Sequence, residues 1–414
     1  MAENCYGLLG ERLKHSLSPQ IHKHLCGYDY LLFEMPEEQV EAFIKKADFT
    51  AINVTIPYKK TVMSYLSRID EKAKKIGSVN TVKKEADGTL SGYNTDYFGF
   101  SYLLNSNGIN VEGKKAIILG SGGSCATVNA VLKDQKARSI TVISRSGEDN
   151  YDNISKHYDA EIIVNTTPVG MFPQNLQTPI DLSKFTMCQA VVDIIYNPLK
   201  TKLLLDAEKL QIKTANGLSM LVAQAKAAAE IFLDKKIPDS EIQRVLNIVK
   251  KDAQNIVLVG MPGSGKSTVA KKLAKILNRQ IIDTDNLIEE KEQKSIPQIF
   301  SDRGEDFFRI LESEAAIEAG KNLSAVIATG GGIVKKQENF DSLRQNGFVV
   351  FLNRPVEMLA TNGRPLSTDL SRLKEMLNER YSKYKEISDV EVFVKGSVND
   401  TANEIVKLFL GGMI

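Results

Sequence analysis

Short apolar runs alternate with amphipathic stretches along the whole chain. Over about the first 100 residues this is the signature of strands followed by helices. Near Ala51 the run Ala-Ile-Asn-Val-Thr-Ile reads as a strand stopped by Pro57. Residues 115–119 have a buried-strand pattern, a glycine-rich turn follows, and residues 126–134 are helical. Residues 139–143, 162–164 and 190–194 read as further strands. Strands alternating with helices imply a parallel sheet with right-handed crossovers. Residues 218–233 are Ala-rich and helical, and residues 239–251 form another helix with Asp239 or Ser240 as N-cap. Directly afterwards, residues 255–259 read as a buried strand entering a second glycine-rich loop. This fresh strand–loop–helix unit places a domain boundary near Asp252, with no Pro-rich or Gly/Ser-rich linker. No internal repeat or low-complexity segment interrupts the pattern.

At roughly 100–200 residues per domain, 414 residues suggest two to four domains. Lys and Arg number 53 against 51 Asp and Glu, a net charge of +2. That balance argues against a dedicated nucleic-acid binder. The four cysteines, Cys5, Cys26, Cys125 and Cys188, form no CxxC pair, so neither a disulfide scaffold nor a zinc site is expected. The histidines, His15, His22, His24 and His157, are expected to be solvent-facing or hydrogen-bonded. There is no basic start with an apolar core and cleavage site and no apolar run long enough for a bilayer. A soluble, cytoplasmic protein without membrane or nucleic-acid partners is expected.

The sharpest motif is Gly260-Met-Pro-Gly263-Ser264-Gly265-Lys266-Ser267-Thr268. It matches the phosphate-binding pattern G-x-x-x-x-G-K-[ST] between a strand and a helix. Glycines let the backbone wrap phosphates, and the helix N-terminus adds positive potential. Lys266 is expected at the β- and γ-phosphates and the Ser267 hydroxyl on Mg²⁺. Next, Ile281-Ile-Asp283-Thr-Asp285 reads as a strand end with two carboxylates on one face. One can serve the metal and the other an acceptor hydroxyl. Phe308-Arg309-Ile-Leu-Glu312, Thr329-Gly330-Gly331-Gly332, Arg364-Pro-Leu366 and Arg380 with Tyr384 and Glu386 follow.

In this order and spacing, the motifs from about Gln254 onward resemble the shikimate kinases. The resemblance implies that Asp285, Arg309, Gly331, Gly332 and Arg380 hold shikimate. Both guanidinium forks would pair with its carboxylate. Asp285 would orient or deprotonate the attacking hydroxyl. Gly263, Ser264, Gly265, Lys266, Ser267, Thr268 and Arg364 would hold ATP. Ser267 and Asp283 would complete the Mg²⁺ shell, and Arg364 would sit in a closing lid and neutralise charge on the transferred phosphoryl group. The stretch from Leu352 to Arg364 is shorter than usual for that family, and Arg354 is the one arginine there that could cover the adenine. Ser382 stands where the family often has proline.

In the first half, Gly120-Ser121-Gly122-Gly123-Ser124 follows a strand and opens a helix. The next strand ends in Ser144-Arg145-Ser146, with no acidic residue at its tip. An acid there would bind the ribose hydroxyls of NAD, whereas an arginine among hydroxyls suits the extra phosphate of NADP. Ahead of this unit lie Ser16-Leu-Ser18-Pro, Asn53-Val-Thr55-Ile-Pro57-Tyr-Lys59, Asn80-Thr and Asn94-Thr-Asp96. Asn and Asp often only mark turns; that explains Asn94 better than Lys59 and Asp96, which supply a candidate proton-transfer pair.

From about Tyr6 to Lys250 this set resembles the shikimate dehydrogenases. The resemblance implies Lys59 and Asp96 as the catalytic pair. It implies Ser16, Ser18, Asn53, Thr55, Asn80, Tyr196 and Gln224 as further ligands of dehydroshikimate and shikimate. Gly120 to Ser124, Ser144 to Ser146, Thr166, Gly217 and Met220 would hold NADP(H), although Ser144 stands where that family often has asparagine. The expected architecture is α/β throughout. A substrate domain comprises residues 1–100 plus 218–252, a Rossmann-like NADP domain residues 101–217, and a P-loop kinase domain with a parallel sheet residues 253–414. A monomer or a homodimer is equally compatible with the sequence. Rival readings are an NAD-using quinate/shikimate dehydrogenase joined to another small-molecule kinase, a catalytically silent metabolite sensor, and a two-domain nucleotide-binding protein of other substrate. Arg145 and the group Asp283, Asp285, Arg309 and Arg380 speak against the first, and the intact Lys59, Asp96, Lys266, Ser267 and Asp285 against the second.

Overall fold

Three sheets organise the chain in a computed structural model that describes residues 5–14, 16–359 and 370–411. The first sheet has six strands in the order β2-β1-β3-β5-β6-β4. Its elements are β1 (Tyr6–Gly10), α1 (Ser18–Cys26), β2 (Tyr30–Glu34), α2 (Glu37–Lys46), β3 (Ala51–Val54), β4 (Arg68–Ile69), α3 (Glu71–Ile76), β5 (Thr81–Lys84) and β6 (Leu90–Tyr93). β1 pairs in parallel with β2 and β3, while β5 runs antiparallel between β3 and β6. The helices end where local chemistry dictates. Asp70 caps α3 by accepting from the N–H groups of Lys72 and Ala73, and Gly77 closes it in the left-handed region.

Helix α4 (Asp96–Ser106) leads into a second sheet with the order β11-β10-β9-β7-β8, parallel throughout. It comprises β7 (Lys115–Leu119), α5 (Gly123–Asp134), β8 (Ser139–Ile143), β9 (Ile162–Asn165), β10 (Ala190–Asp193), α6 (Lys202–Lys209) and β11 (Lys213–Asn216). Helices α7 (Leu218–Leu233) and α8 (Ser240–Ala253) follow. α7 packs on both preceding layers. Its Phe232 ring stacks on Tyr6 at 5.5 Å, while Met220 joins the core of the second sheet with Phe100 and Leu103 of α4. A Cβ on Gly99 would lie 2.7 Å from the Met220 carbonyl, so glycine lets α4 and α7 approach closely.

The third sheet is again parallel, in the order β13-β14-β12-β15-β16. Its elements are β12 (Asn255–Val259), α9 (Lys266–Leu277), β13 (Gln280–Asp283), α10 (Thr284–Glu292), α11 (Ile296–Gly320), β14 (Ala325–Ala328), α12 (Gln337–Arg344), β15 (Gly347–Asn353), α13 (Leu370–Ile387), β16 (Val390–Phe393) and α14 (Val398–Leu410). All five residues of β12 are buried, as expected for a strand covered on both faces. Each fully buried Ile, Leu or Val contributes roughly 1.5–3 kcal/mol of transfer free energy. In both parallel sheets the glycine-rich turn leaves a strand whose neighbours lie on opposite sides, β7 between β8 and β9 and β12 between β14 and β15. That is a topological switch point, where open α/β sheets bind ligands.

Among the described residues, those of 1–171, 177–196 and 203–250 form one compact unit, and those of 172–176, 197–202 and 251–414 a second. None of the described helices is long and apolar enough to cross a membrane. One expectation is corrected. β13 ends at Asp283, and Asp285 lies in the first turn of α10 rather than on the strand. The Asp283 side chain accepts from the Asp285 N–H and caps that helix, so a cap replaces the alternating strand geometry.

Candidate functional site

In the first unit, Lys59 and Asp96 come together: Lys59 Nζ donates to Asp96 Oδ2 at 2.6 Å. Their side chains are 11% and 2% exposed, so the pair is largely withdrawn from solvent screening. Asp96 opens α4, where the helix dipole favours a carboxylate. Its other oxygen accepts from Asn80 Nδ2 at 2.7 Å. Asn80 also donates to Thr95 Oγ1 and accepts from the Thr95 N–H, so its amide is spent on the helix start. Asn53 Nδ2 donates to Thr81 Oγ1 and to the Asn80 carbonyl, and Asn53 Oδ1 accepts from Tyr30 OH at 2.7 Å. Behind Tyr30 the His22 ring stacks at 4.1 Å, with its Nδ1 2.6 Å from Tyr28 OH. Burial pushes the His22 pKa down to about 3, so the imidazole is neutral.

Ser16, Ser18 and Thr55 follow the carboxyl ends of β1 and β3. The Ser16 hydroxyl accepts from the Ser18 N–H at 3.2 Å, and a Cβ on Gly10 would touch the Thr55 methyl at 2.6 Å. Gln224 lies on α7 against Gly99, one turn beyond Asp96. Tyr196 is half-buried, which raises its pKa. His15 lies outside the described residues.

The glycine turn of the second sheet is pinned at one end and open at the other. Gly120 has φ +97°, and a Cβ there would lie 2.7 Å from the Thr167 methyl. Thr166 Oγ1 donates to the Leu119 carbonyl at 2.8 Å, tying β9 to the turn. At Gly122 and Gly123, by contrast, a Cβ would meet nothing within 4 Å. Gly122 caps α5, so open space faces a helix N-terminus, the feature a dinucleotide pyrophosphate needs. Ser121 is exposed and Ser124 half-buried beside it. Beyond β8, Ser144 is buried while Arg145 and Ser146 are exposed, leaving the guanidinium available to a ribose phosphate. Gly217 admits no other residue, because a Cβ would sit 1.9 Å from the Ile194 carbonyl oxygen. It sets the start of α7 and hence Met220, which is 6% exposed.

In the second unit the loop after β12 wraps as its motif predicts. Gly260, Gly263 and Gly265 have φ of +147°, +83° and +96°. Lys266 Nζ donates to the Gly260 and Met261 carbonyls at 2.8 and 3.0 Å, and Ser264 is buried within the loop. Ser267 and Thr268 are exposed. Ser267 Oγ donates to Asp283 Oδ2 at 2.7 Å, a hydroxyl and a carboxylate side by side as hard-cation ligands.

The residues expected to hold the acceptor converge at the end of β14. A Cβ on Gly330 would lie 2.8 Å from Asp285 Oδ1 and 3.0 Å from Glu312 Oε1. On Gly332 it would lie 2.1 Å from Arg309 Nη1. Arg380 Nη1 and Tyr384 OH both donate to the Gly331 carbonyl, at 3.0 and 2.5 Å. Arg309 also donates to Glu312 Oε2 at 2.7 Å and Glu305 Oε1 at 2.8 Å, and Lys335 Nζ donates to Glu305 at 2.8 Å. Lys335 and Arg309 hold the Glu305 carboxyl down to about 2, whereas burial pushes that of Glu312 up. Arg364 lies outside the described residues.

Sequence reasoning missed Glu305, Lys335, His22 and Tyr30. Glu305 and Glu312 stand at i−4 and i+3 from Arg309 on α11, a spacing that could have signalled them. Lys335 lies beyond the next turn, and only the fold brings it there.

The model of the shikimate kinase family matches residues 262–409. That of the shikimate dehydrogenase substrate binding domain matches residues 8–82. A shikimate dehydrogenase (NADP(+)) of Clostridium beijerinckii is 38% identical over 267 residues, which cover 60% of this chain and 98% of that protein. A shikimate dehydrogenase structure from Peptoclostridium difficile is similar with TM-score 0.57 at 35% identity, covering 60% of this chain and 98% of that one. A Thermus thermophilus shikimate 5-dehydrogenase in complex with NADP(H) and shikimate has TM-score 0.54 at 27% identity, covering 59% and 99%.

Proposed function

Since the chain belongs to the shikimate dehydrogenase family and carries a shikimate kinase domain, we propose that it catalyses two consecutive reactions. It reduces 3-dehydroshikimate to shikimate with NADPH, then phosphorylates the same C3 hydroxyl with ATP. In this reading residues 1–100 and 218–252 bind the ring acid, residues 101–217 bind NADP(H), and residues 253–414 form the kinase. The observation that carries the coupling is the convergence of Asp285, Arg309 and Arg380 on Gly330–Gly332, one strand away from the P-loop. Paired guanidinium groups beside a carboxylate suit an acceptor with a carboxylate and a hydroxyl.

Bound NADPH supplies hydride to the C3 carbonyl carbon, and Mg²⁺-bound ATP supplies the phosphoryl group. The protein's residues do the rest. Ser16, Ser18, Asn53, Thr55, Tyr196 and Gln224 hold the ring acid. Lys59 gives a proton to the oxygen that becomes the C3 hydroxyl, and Asp96 keeps the ammonium aimed at it. Asn80 fixes the Asp96 carboxylate as well as lining the pocket. Gly120 to Ser124, Ser144, Arg145, Ser146, Thr166, Gly217 and Met220 frame the cofactor.

In the kinase, Arg309, Arg380, Gly331 and Gly332 fix the acceptor carboxylate. Asp285 takes up the hydroxyl proton, Gly263 to Thr268 cradle the phosphates, and Lys266 offsets the developing charge. Ser267 and Asp283 are the residues that would hold Mg²⁺. Arg364 would neutralise charge on the transferred phosphoryl group. The reading places the protein's activity in the cytoplasm on small metabolites.

The test is a single incubation of the full chain with 3-dehydroshikimate, NADPH, ATP and Mg²⁺. Shikimate 3-phosphate is expected. Shikimate accumulating without its phosphate would remove the kinase assignment, and NADH serving as well as NADPH would remove the role of Arg145.

A further inference from the structure

The P-loop is gripped from the β15 side as well as by its own helix. β12 and β15 pair in register up to Val259 and Phe351. Immediately beyond, a Cβ on Gly260 would lie 2.6 Å from the Leu352 carbonyl oxygen, so the exit of β15 runs against the entry of the loop. Two residues later stands Arg354. Its Nη1 is the nearest atom to the position a Cβ on Gly265 would take, at 3.8 Å. Gly265 is the last residue before Lys266 and the start of α9, where P-loop N–H groups cradle α- and β-phosphates. Arg354 is half-buried, and its buried Nε has no hydrogen-bond partner among the described residues. Other arginines of this unit have partners: Arg279 bonds backbone carbonyls, Arg309 two glutamates, and Arg380 the Gly331 carbonyl. Arg380 also has a buried Nε without a partner, but its Nη1 is held by the Gly331 carbonyl. A buried guanidinium N–H left without an acceptor, as at Arg354 Nε, is costly unless something completes it.

We infer that Arg354 binds the nucleotide in the kinase half, by donating to oxygens of its α- and β-phosphates across the last glycine of the P-loop. Lys266, which now donates to the Gly260 and Met261 carbonyls, then acts from within the loop while Arg354 acts from the neighbouring strand. The position beside the phosphate loop separates this role from covering the adenine. The inference rests on the kinase reading of residues 253–414.

The experiment titrates ADP with Mg²⁺, and adenosine alone, into the full-length wild type, R354M and R354K. It also measures the steady-state KM for ATP and for shikimate. Charge-assisted hydrogen bonds contribute about 1.5–3 kcal/mol, so R354M should weaken ADP roughly 10- to 100-fold. KM for ATP should rise with it, kcat and the shikimate KM should hold within about twofold, and adenosine binding should not change. R354K keeps the charge but loses the fork, so it should recover part of the ADP affinity. A shikimate KM that holds in R354M also certifies that the second unit is folded; if R354M fails to fold, R354K read by the same ADP and adenosine titrations decides. Unchanged ADP affinity in a folded variant would overturn the inference, as would a parallel loss of adenosine, which would place the guanidinium on the base. Wild type that binds no ADP at all would overturn the kinase reading itself, and the role of Arg354 with it.

Discussion

Replacing Lys59 by Met keeps most of the apolar stem and deletes the ammonium. Asp96, whose side chain is 2% exposed, then loses its partner at 2.6 Å. Breaking a buried ion pair outright costs roughly 3–5 kcal/mol. Here the carboxylate keeps the Asn80 amide at 2.7 Å and its place at the start of α4. A hydrogen bond to a charged group is worth about 1.5–3 kcal/mol and a helix N-terminus about 0.3–1 kcal/mol. With both retained, the expected destabilisation is only about 1–2 kcal/mol, or a fall in Tm of about 3–6 °C for the first unit. The catalytic loss should be larger. Removing a positioned proton donor costs about 10²- to 10⁴-fold in kcat, or roughly 2.7–5.5 kcal/mol of barrier. A protein with ordinary stability reserves stays folded through such a change, so lost turnover cannot be mistaken for unfolding. The assay follows NADPH oxidation with 3-dehydroshikimate, alongside NADPH titration by fluorescence and a thermal melt. NADPH affinity should hold within about threefold. Asp96→Asn should also be slow, and the double variant should fall well short of the product of the two single effects, because the pair acts as a unit. Turnover of Lys59→Met within about fivefold of wild type would refute the reasoning, as would strictly additive losses in the double variant.

Gly332→Ala would put a methyl 2.1 Å from Arg309 Nη1; the shikimate KM of the kinase should rise more than about tenfold while the KM for ATP holds, read in a coupled ADP-release assay. Arg145→Ala should raise the KM for NADPH roughly 10- to 100-fold and leave that for NADH nearly unchanged. His22 is fully buried with its pKa pushed down from 6.5 to about 3. Below pH 6.5 the unfolded chain binds a proton that the folded one refuses, so stability falls as pH drops towards 3, by about 1.4 kcal/mol per unit once well below 6.5. Denaturant melts between pH 7 and 4 should show a flatter fall in His22→Gln than in wild type. Glu305 is held down to about 2 by Lys335 and Arg309. Its stabilising effect is present above about pH 4.5 and is lost as pH falls towards 2; solvent screens it, so Glu305→Gln should flatten the acid limb of the second unit only slightly.

Much of this protein is a matter of local pattern. The apolar runs at Lys115–Leu119 and Asn255–Val259 are strands with those bounds, because a strand buried on both faces reads as a near-continuous apolar run. Ser139–Ile143, in which polar Ser139 and Thr141 alternate with apolar residues, is a half-exposed strand at the sheet edge. The two glycine turns are legible because wrapping a phosphate at a helix start demands small residues at fixed spacing, and Lys59 and Asp96 stand out as candidates by residue type, although their contact across 37 positions is made by the fold. Other features depend on residues far apart in the chain. Nothing local announces that Lys335 reaches Glu305, that His22 backs Tyr30 and Asn53, or that Arg354 arrives beside Gly265. The carboxylates Asp283 and Asp285 look like alternate residues of one strand until the first caps the helix holding the second. Periodicity and capping are interactions over a few residues and so are written in order along the chain. The partners of a buried charge are chosen by which strand ends pack side by side, and only the folded chain decides that.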